Sequence, residues 1–336
     1  GFDFYHKQSI NLEKNIRDFF FKTNIDSPIC IFIGDRRPHV PWTEKIIYNA
    51  EKVDLPSYFI DTRETREHRA RYYSDITGFD KSLGKILEFL DIKLGKNTVT
   101  IMTSDHGGQW PFGKWNLYDD GIRTPLIIKW PNKILANNIS DAMVSWIDIL
   151  PTILDLTRSE SQENIDGKSF MRVLMGKTEN FRDEIFTTHS GDGVFNVYPI
   201  RSVRTKRYKY IRNLLSDCYH TNHSDLLRKD GAGGYWNSWY ESSKQNIKSE
   251  NLILKYHIRP KEEFYDLLID PNEQNNLITC KSLSKEIIKM SKKLDQWMEK
   301  QKDQEIVISS PYPITEGLPE KKKIEFLNKK SKSSIR

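Results

Sequence analysis

The sequence predicts an α/β fold, a mixed sheet flanked by helices, with a smaller C-terminal subdomain of antiparallel sheet and helix. Three short apolar runs, at residues 29–34, 98–104 and 125–130, have the length and β-branched content of buried strands. A long amphipathic segment, 61–94, precedes the second run in the helix-turn-strand order of a crossover unit, which favours a mainly parallel sheet. After residue 198, short alternating runs replace this pattern.

The first two predicted helices are residues 9–23 and 61–94. In the second helix the charged head at 62–69 is expected to be exposed, and Gly95 ends the helix before the turn into the next strand. Apolar residues follow the head at spacings of three and four and form one stripe. They are Ile76, Phe79, Leu83, Ile86, Leu87 and Leu90.

The second half of the chain predicts a helix at 148–156, in which Asp148 is a cap rather than a catalyst. The remaining predicted elements are strands at 184–188, 200–204, 208–212 and 262–267 and a helix at 284–302. These patterns divide the chain into an α/β part (1–197), a C-terminal α+β subdomain (198–304) and a basic tail (305–336). The aromatic residues at 235–240 are compatible either with a sugar-stacking rim or with a packed loop.

The distribution of charge and hydropathy bears on the possible partners: the basic tail could bind sulfated sugars, but a solvated tail is favoured. The 336-residue chain has a net charge of +6, but residues 321–336 alone hold seven Lys or Arg and one Glu, so the remainder is neutral. Such a tail is typical of a solvated segment, and we expect no nucleic-acid partner. No apolar run reaches the 18 residues of a membrane span. The chain begins Gly-Phe-Asp without Met and shows no signal peptide.

The segment 97–131 contains most of the candidate site residues. The run 98–104 ends at Asp105 and His106, followed by two glycines that allow a tight turn, and Lys114 comes six residues after Gly108. Ligands gather at the carboxyl ends of strands in open α/β sheets, so the carboxylate and imidazole predict a metal or anion site to which Lys114 could return. Alone, Asp-His-Gly is also compatible with an ordinary polar loop.

His39 follows the first predicted strand and lies between Pro38 and Pro41, which fix the backbone around it. A single loop histidine usually has no special role. Its position after a core-type strand makes it a candidate for the same edge of the sheet as Asp105, His106 and Lys114.

These motifs resemble the sulfatase family of the alkaline-phosphatase superfamily. The resemblance rests on the order and spacing of pieces found along most of the chain, and its finer texture is most similar to the heparan N-sulfatase (sulfamidase) branch. The pieces are Thr103-Ser104-Asp105-His106-Gly107, Gly113-Lys114, Arg123-Thr124-Pro125-Leu126-Ile127, Arg37-Pro38-His39-Val40-Pro41-Trp42, Tyr265-Asp266-Leu267 and Asp270-Pro271-Asn272-Glu273.

The resemblance implies the downstream half of an alkaline-phosphatase-like fold and hydrolysis of a sulfuric ester or sulfamate on a sulfated sugar or glycosaminoglycan. It implies Asp105 and His106 as ligands of a divalent metal, with Ca favoured and Mg or Mn open, because carboxylate oxygens suit hard cations and imidazole is a less usual Ca ligand. His39 and Lys114 become catalytic residues that neutralise charge on the sulfate. A periplasmic, secreted or lysosomal location is also implied.

Sulfatases use a formylglycine made from the cysteine of Cys-x-(Pro or Ala)-x-Arg, and neither Cys30, Cys218 nor Cys280 lies in that motif. The expectation is therefore an N-terminally truncated sulfatase, inactive by itself, whose nucleophile lies upstream. Two alternatives stay open: a phosphodiesterase or phosphonate hydrolase of the same superfamily, and an inactive glycan-binding fragment.

Overall fold

A computed structural model describes residues 4–5, 11–23, 27–228, 233–307 and 309–319. Helices and strands both occur, which confirms the α/β class. The helices are α1 (Leu12–Lys22), α2 (Arg63–Leu94), α3 (Asp119–Ile122), α4 (Ile149–Thr157), α5 (Met171–Leu174), α6 (His223–Leu227), α7 (Trp236–Ser243), α8 (Ile247–His257) and α9 (Ser284–Lys300). The strands are β1 (Thr100–Thr103), β2 (Leu126–Lys129), β3 (Ile185–His189), β4 (Ile200–Arg204), β5 (Tyr208–Asn213) and β6 (Glu262–Asp266).

Two of the three apolar runs form strands. β1 and β2 pair antiparallel, with Ile101 opposite Ile128. The expectation of a strand at 29–34 is wrong: this segment is extended but carries no strand, and Phe32 is 69% exposed. An apolar run becomes a strand only when a neighbour satisfies its backbone groups, and no described segment pairs with this one. The mainly parallel sheet is likewise wrong for the described residues, where every pairing is antiparallel.

Helix α2 begins where the sequence predicts, at the cap of Thr62, whose side chain accepts from the Thr65 backbone N–H at 3.1 Å. The expectation of an exposed head is wrong. Within it Thr65 and His68 are buried, and only Arg63 and Glu64 are exposed. The reason is aromatic packing: the Arg69 guanidinium lies 4.9 to 5.5 Å from the centres of four rings. Those rings belong to Phe59, Tyr72, Tyr73 and Trp110.

The C-terminal subdomain contains a four-stranded antiparallel sheet in the order β3-β4-β5-β6. Helix α9 covers one face of this sheet, with Met290 and Leu294 fully buried against Val203, Tyr210 and Phe264. The predicted hairpin and closing helix are thus confirmed. Because β3 lies before residue 198 and pairs with β4, the sheet extends across the border suggested by the sequence.

An aromatic core joins this sheet to the rest of the chain. Trp236 and Trp239 of α7 are fully buried and pack with Trp110, which decides between the two interpretations of the 235–240 aromatics in favour of packing. Asp148 caps the turn before α4 and not α4 itself, which has no side-chain cap: its carboxylate accepts at 2.9 Å from the Ser145 backbone N–H and pairs with Arg182.

The end of the basic tail, 320–336, lies outside the described residues. Among the helices that are described, none combines the length and apolar character needed to cross a membrane.

Candidate active site

The loop between β1 and α3 folds back on itself. Its Gly107 N–H donates to the Gly121 carbonyl at 2.9 Å, and the Lys114 N–H donates to the Gly108 carbonyl at 2.8 Å. A Cβ at Gly107 would lie 1.7 Å from the Asp120 carbonyl oxygen, so the close approach requires glycine here. These bonds return Lys114 to the turn that follows His106, as the sequence predicts.

Asp105 and His106 form a pair at the end of β1. The Asp105 side chain is 82% exposed, and its Oδ2 lies 3.4 Å from Nε2 of His106. The other imidazole nitrogen, Nδ1, is 2.8 Å from the Gly107 carbonyl, which can only accept, so Nδ1 carries the proton. Nε2 and the carboxylate oxygen face each other at 3.4 Å, close enough for both to contact one cation.

These two side chains fit part of a divalent-cation site. Calcium takes six to eight oxygen ligands and zinc about four ligands in all, so two protein ligands leave most of the coordination shell to other groups. Within the described ranges, no cluster contains three or more His, Cys, Asp or Glu side chains suited to one metal ion.

Lys114 is half-buried close to this pair. Burial lowers the pKa of its ammonium, while Asp192 and Asp105 act in the opposite direction. Its Nζ lies 4.9 Å from the centre of the Trp115 ring. The loop therefore presents a cation within electrostatic range of the carboxylate of Asp105.

The His39 loop is attached to the same region by Trp42. The Trp42 indole donates to the Pro38 carbonyl at 2.9 Å and stacks on Trp110 with ring centres 4.6 Å apart. His39 is exposed, and its Nδ1 lies 2.7 Å from the Val40 carbonyl. Because a carbonyl can only accept, the proton of this hydrogen bond is on Nδ1.

A third histidine, His223, interacts electrostatically with both His39 and Lys114. The pKa of His223 is lowered to about 4, mainly by burial and in part by Lys114 and His39, while Asp192 acts in the opposite direction. All three groups therefore lie within electrostatic range of His223. The structure thus brings His39, Lys114 and Asp105 into one neighbourhood, although the predicted strand before His39 does not form.

His223 and Asp192 are the residues that sequence reasoning missed. The only local signal was the pattern Asn222-x-x-Asp225, a capping box in which the Asp225 carboxylate accepts from the Asn222 N–H at 2.7 Å. That pattern predicts the start of a short helix. It does not indicate which side of the molecule His223 faces.

Comparison with known proteins identifies relatives along most of the chain. The profile of the family described as "Sulfatase" matches residues 8–159, and that of "N-sulphoglucosamine sulphohydrolase, C-terminal" matches residues 106–230. An ulvan-active sulfatase of Formosa agariphila is 29% identical over 287 residues, which are 83% of this chain and 54% of that protein. The N-sulphoglucosamine sulphohydrolase of Homo sapiens is 27% identical over 276 residues, 76% of this chain and 52% of that protein.

A solved structure described as a 2-O GAG sulfatase has the same fold. It is 21% identical with a TM-score of 0.52, over 86% of this chain and 58% of that one. This likeness confirms the alkaline-phosphatase-like α/β class predicted from the sequence. The chain spans about half the length of the curated relatives that it matches.

Proposed function

This chain belongs to the sulfatase family, and from that premise we propose that it serves the metal-dependent hydrolysis of sulfuric esters or sulfamates on sulfated carbohydrates. The observation that carries the proposal is the convergence of Lys114, His39 and the Asp105–His106 pair in one neighbourhood. Cations and hydrogen-bond donors placed together there would stabilise the charge that develops on a sulfate group.

Asp105 and His106 would hold the cation through Oδ2 and Nε2, and Ca is the preferred candidate, with Mg and Mn as alternatives. When bound, the cation would polarise a sulfate oxygen and favour attack at sulfur. The nucleophile of this reaction would be a formylglycine. None of the three cysteines has the sequence context for that modification, so we assign it to a segment other than residues 1–336.

Lys114 and His39 would act on the sulfate directly. The ammonium of Lys114 would balance the charge of the sulfate oxygens, and the lowered pKa caused by burial would rise again as the anion arrives. The exposed imidazole of His39 would bind a sulfate oxygen or deliver a proton to the leaving oxygen or nitrogen.

The names of two relatives support a carbohydrate substrate, since one is called an ulvan-active sulfatase and the other an N-sulphoglucosamine sulphohydrolase. An enzyme of this class would work where sulfated glycans are degraded, in the periplasm, outside the cell or in the lysosome.

The test uses the chain joined to a sulfatase segment that carries the formylglycine. We expect Asp105→Ala to abolish sulfate release from N-sulfated glucosamine and an aryl sulfate with added Ca, Mg or Mn. Lys114→Ala should lower turnover by about 10²–10³, the usual cost of one lost transition-state stabiliser. Lys133→Ala, at an exposed lysine, is the matched control.

Residues 1–336 alone should show no sulfatase turnover. Metal-dependent turnover by this chain alone would contradict the assignment of the nucleophile to another segment. Faster hydrolysis of a phosphonate ester than of either sulfate would instead indicate the phosphonate-hydrolase activity of the wider superfamily.

A further inference from the structure

Trp115, the residue after Lys114, has an unusual backbone that neighbouring side chains stabilise. Its φ of 68° lies in the left-handed region, which costs a bulky residue on the order of 1–3 kcal/mol. The indole N–H donates to Oδ2 of Asp192 at 2.8 Å, and the His223 ring stacks on the indole with centres 4.7 Å apart and planes 14° apart. Asp192 and His223 therefore fix the residue that follows the catalytic lysine.

His223 is held on two sides but is not fully covered. The Phe195 ring lies 4.0 Å from its centre, in addition to the indole of Trp115. Its Nδ1 is buried without a hydrogen bond, 3.8 Å from Oδ2 of Asp192, yet 21% of the side chain is exposed. Because Nδ1 is buried, the exposed fraction belongs to the rest of the side chain, which includes Nε2.

This environment determines how His223 could bind a ligand. With a pKa of about 4, lowered mainly by burial, the ring is neutral at physiological pH. A proton on Nδ1 would face the Asp192 carboxylate, so Nε2 is the nitrogen with a free lone pair. A neutral imidazole with Nε2 exposed accepts a hydrogen bond. It suits a hydroxyl or N–H donor and does not suit the sulfate oxygens, which only accept.

We propose that His223, oriented by Asp192 and Trp115, accepts a hydrogen bond from a hydroxyl or N–H group of the sugar that carries the sulfate bound by Lys114. This assignment rests on the proposed function and adds the part of the substrate that the sulfate-binding residues cannot recognise. His223 then favours carbohydrate sulfates over aryl sulfates, because an aryl sulfate has no donor for Nε2. Asp192 acts as a positioning residue through Trp115 and His223.

The first test measures binding by the chain itself. The chain has eight histidines, so NMR with ring-labelled histidine can follow each imidazole, with His223 assigned from the His223→Gln spectrum. We expect N-sulfated glucosamine to shift the His223 signals and to leave those of the buried His257 unchanged. Phenyl sulfate should shift the His223 signals less than N-sulfated glucosamine does. Equal shifts with both compounds, or no shift with N-sulfated glucosamine, would overturn the proposal.

The second test measures selectivity in the enzyme that also carries the formylglycine. His223→Ala should lower kcat/KM for N-sulfated glucosamine about tenfold, the value of one lost hydrogen bond, mainly through KM, and leave kcat/KM for the aryl sulfate within about twofold. His223→Gln, which keeps an acceptor, should restore part of the loss. His189→Gln is the control, since His189 bonds Asn196 at 2.7 Å.

The two tests separate the inference from the proposed function. An equal loss for both substrates in His223→Ala would show a structural role and overturn the inference while the sulfatase assignment stands. If the enzyme hydrolysed neither sulfate, the proposed function would fail, and the NMR comparison of the two compounds would still decide what His223 binds.

Discussion

Lys209 places its Nζ 2.6 Å from the Oδ1 of Asp119, and its side chain is completely buried. The same ammonium lies 2.8 Å from Glu273, and the Arg204 guanidinium donates to both oxygens of Asp119 at 2.9 and 3.0 Å. Burial would raise the pKa of Asp119, but the hydrogen bond from Arg204 and the charge of Lys209 hold it well below its usual range. Strands β4 and β5 are thus tied to α3 at the end of the site loop.

Removing this buried cation should destabilise the whole chain. In Lys209→Met the carboxylates of Asp119 and Glu273 lose a partner that water cannot replace, and we expect a loss of about 3–5 kcal/mol in the free energy of unfolding. Urea denaturation followed by far-UV circular dichroism measures it. Lys244→Met is the control because Lys244 forms an ion pair with Glu241 in which both side chains are exposed, and its loss should change little. Equal effects of the two substitutions would contradict this account.

Replacing Gly107 by alanine should lower the free energy of unfolding, whereas replacing Gly84 by alanine should raise it. At Gly107 the new Cβ would meet backbone 1.7 Å away, so Gly107→Ala should lower stability by about 1–3 kcal/mol and disturb the loop that carries Lys114. At Gly84, inside α2, the Cβ would enter open space and the better helix propensity of alanine should add roughly 1 kcal/mol. Denaturant midpoints of both variants test this, and a harmless Gly107→Ala would refute the tight turn.

Acid stability should depend on His257. Its pKa is lowered to about 3, mainly by burial and in part by Arg259 and Arg228, although its hydrogen bond with the His220 carbonyl acts in the opposite direction. A base with a depressed pKa contributes stability above its unfolded value, near 6.5, and loses it as the pH falls toward the folded value. His257→Gln should therefore be less stable than the native chain at pH 7, and the gap should shrink by on the order of 2 kcal/mol by pH 5.

The variant must be compared with the native chain at each pH, because other groups change the stability with pH in the direction opposite to His257. Burial raises the pKa of Asp225 to about 7, so that carboxyl gains stability over the same fall in pH. The difference between variant and native chain at each pH cancels the contribution of Asp225. A gap that stayed constant from pH 7 to pH 5 would mean that His257 does not titrate as the structure implies.

Local patterns predicted the elements whose hydrogen bonds and packing partners lie nearby in the sequence. Strand β1, the 200–213 hairpin and helix α9 form where alternation or helical spacing places them. The run at 29–34 shows the same pattern, but a strand also needs a neighbour, which a single run cannot reveal. The buried head of α2 was missed for a similar reason, since Arg69 packs on rings distant in sequence.

In the candidate site, too, residues placed by local turns could be predicted from the sequence, and residues placed by long-range contacts could not. Lys114 returns to Asp105 through glycine turns within one short loop, so its spacing was informative. His223 meets Trp115 and Asp192 through contacts that span 31 to 108 residues of sequence, and no periodicity encodes such contacts.

The buried ion pairs of Asp119 also have a consequence for the order in which the polypeptide assembles during synthesis. The loop with Lys114 leaves the ribosome early, but Arg204, Lys209 and Glu273, which fix its far end, are translated much later. Until Arg204 and Lys209 have emerged, Asp119 is a hydrated carboxylate without its two cationic partners, and Glu273, which completes the buried cluster, comes later still. The site is therefore completed late, and nascent chains released before that point would carry its residues without their geometry.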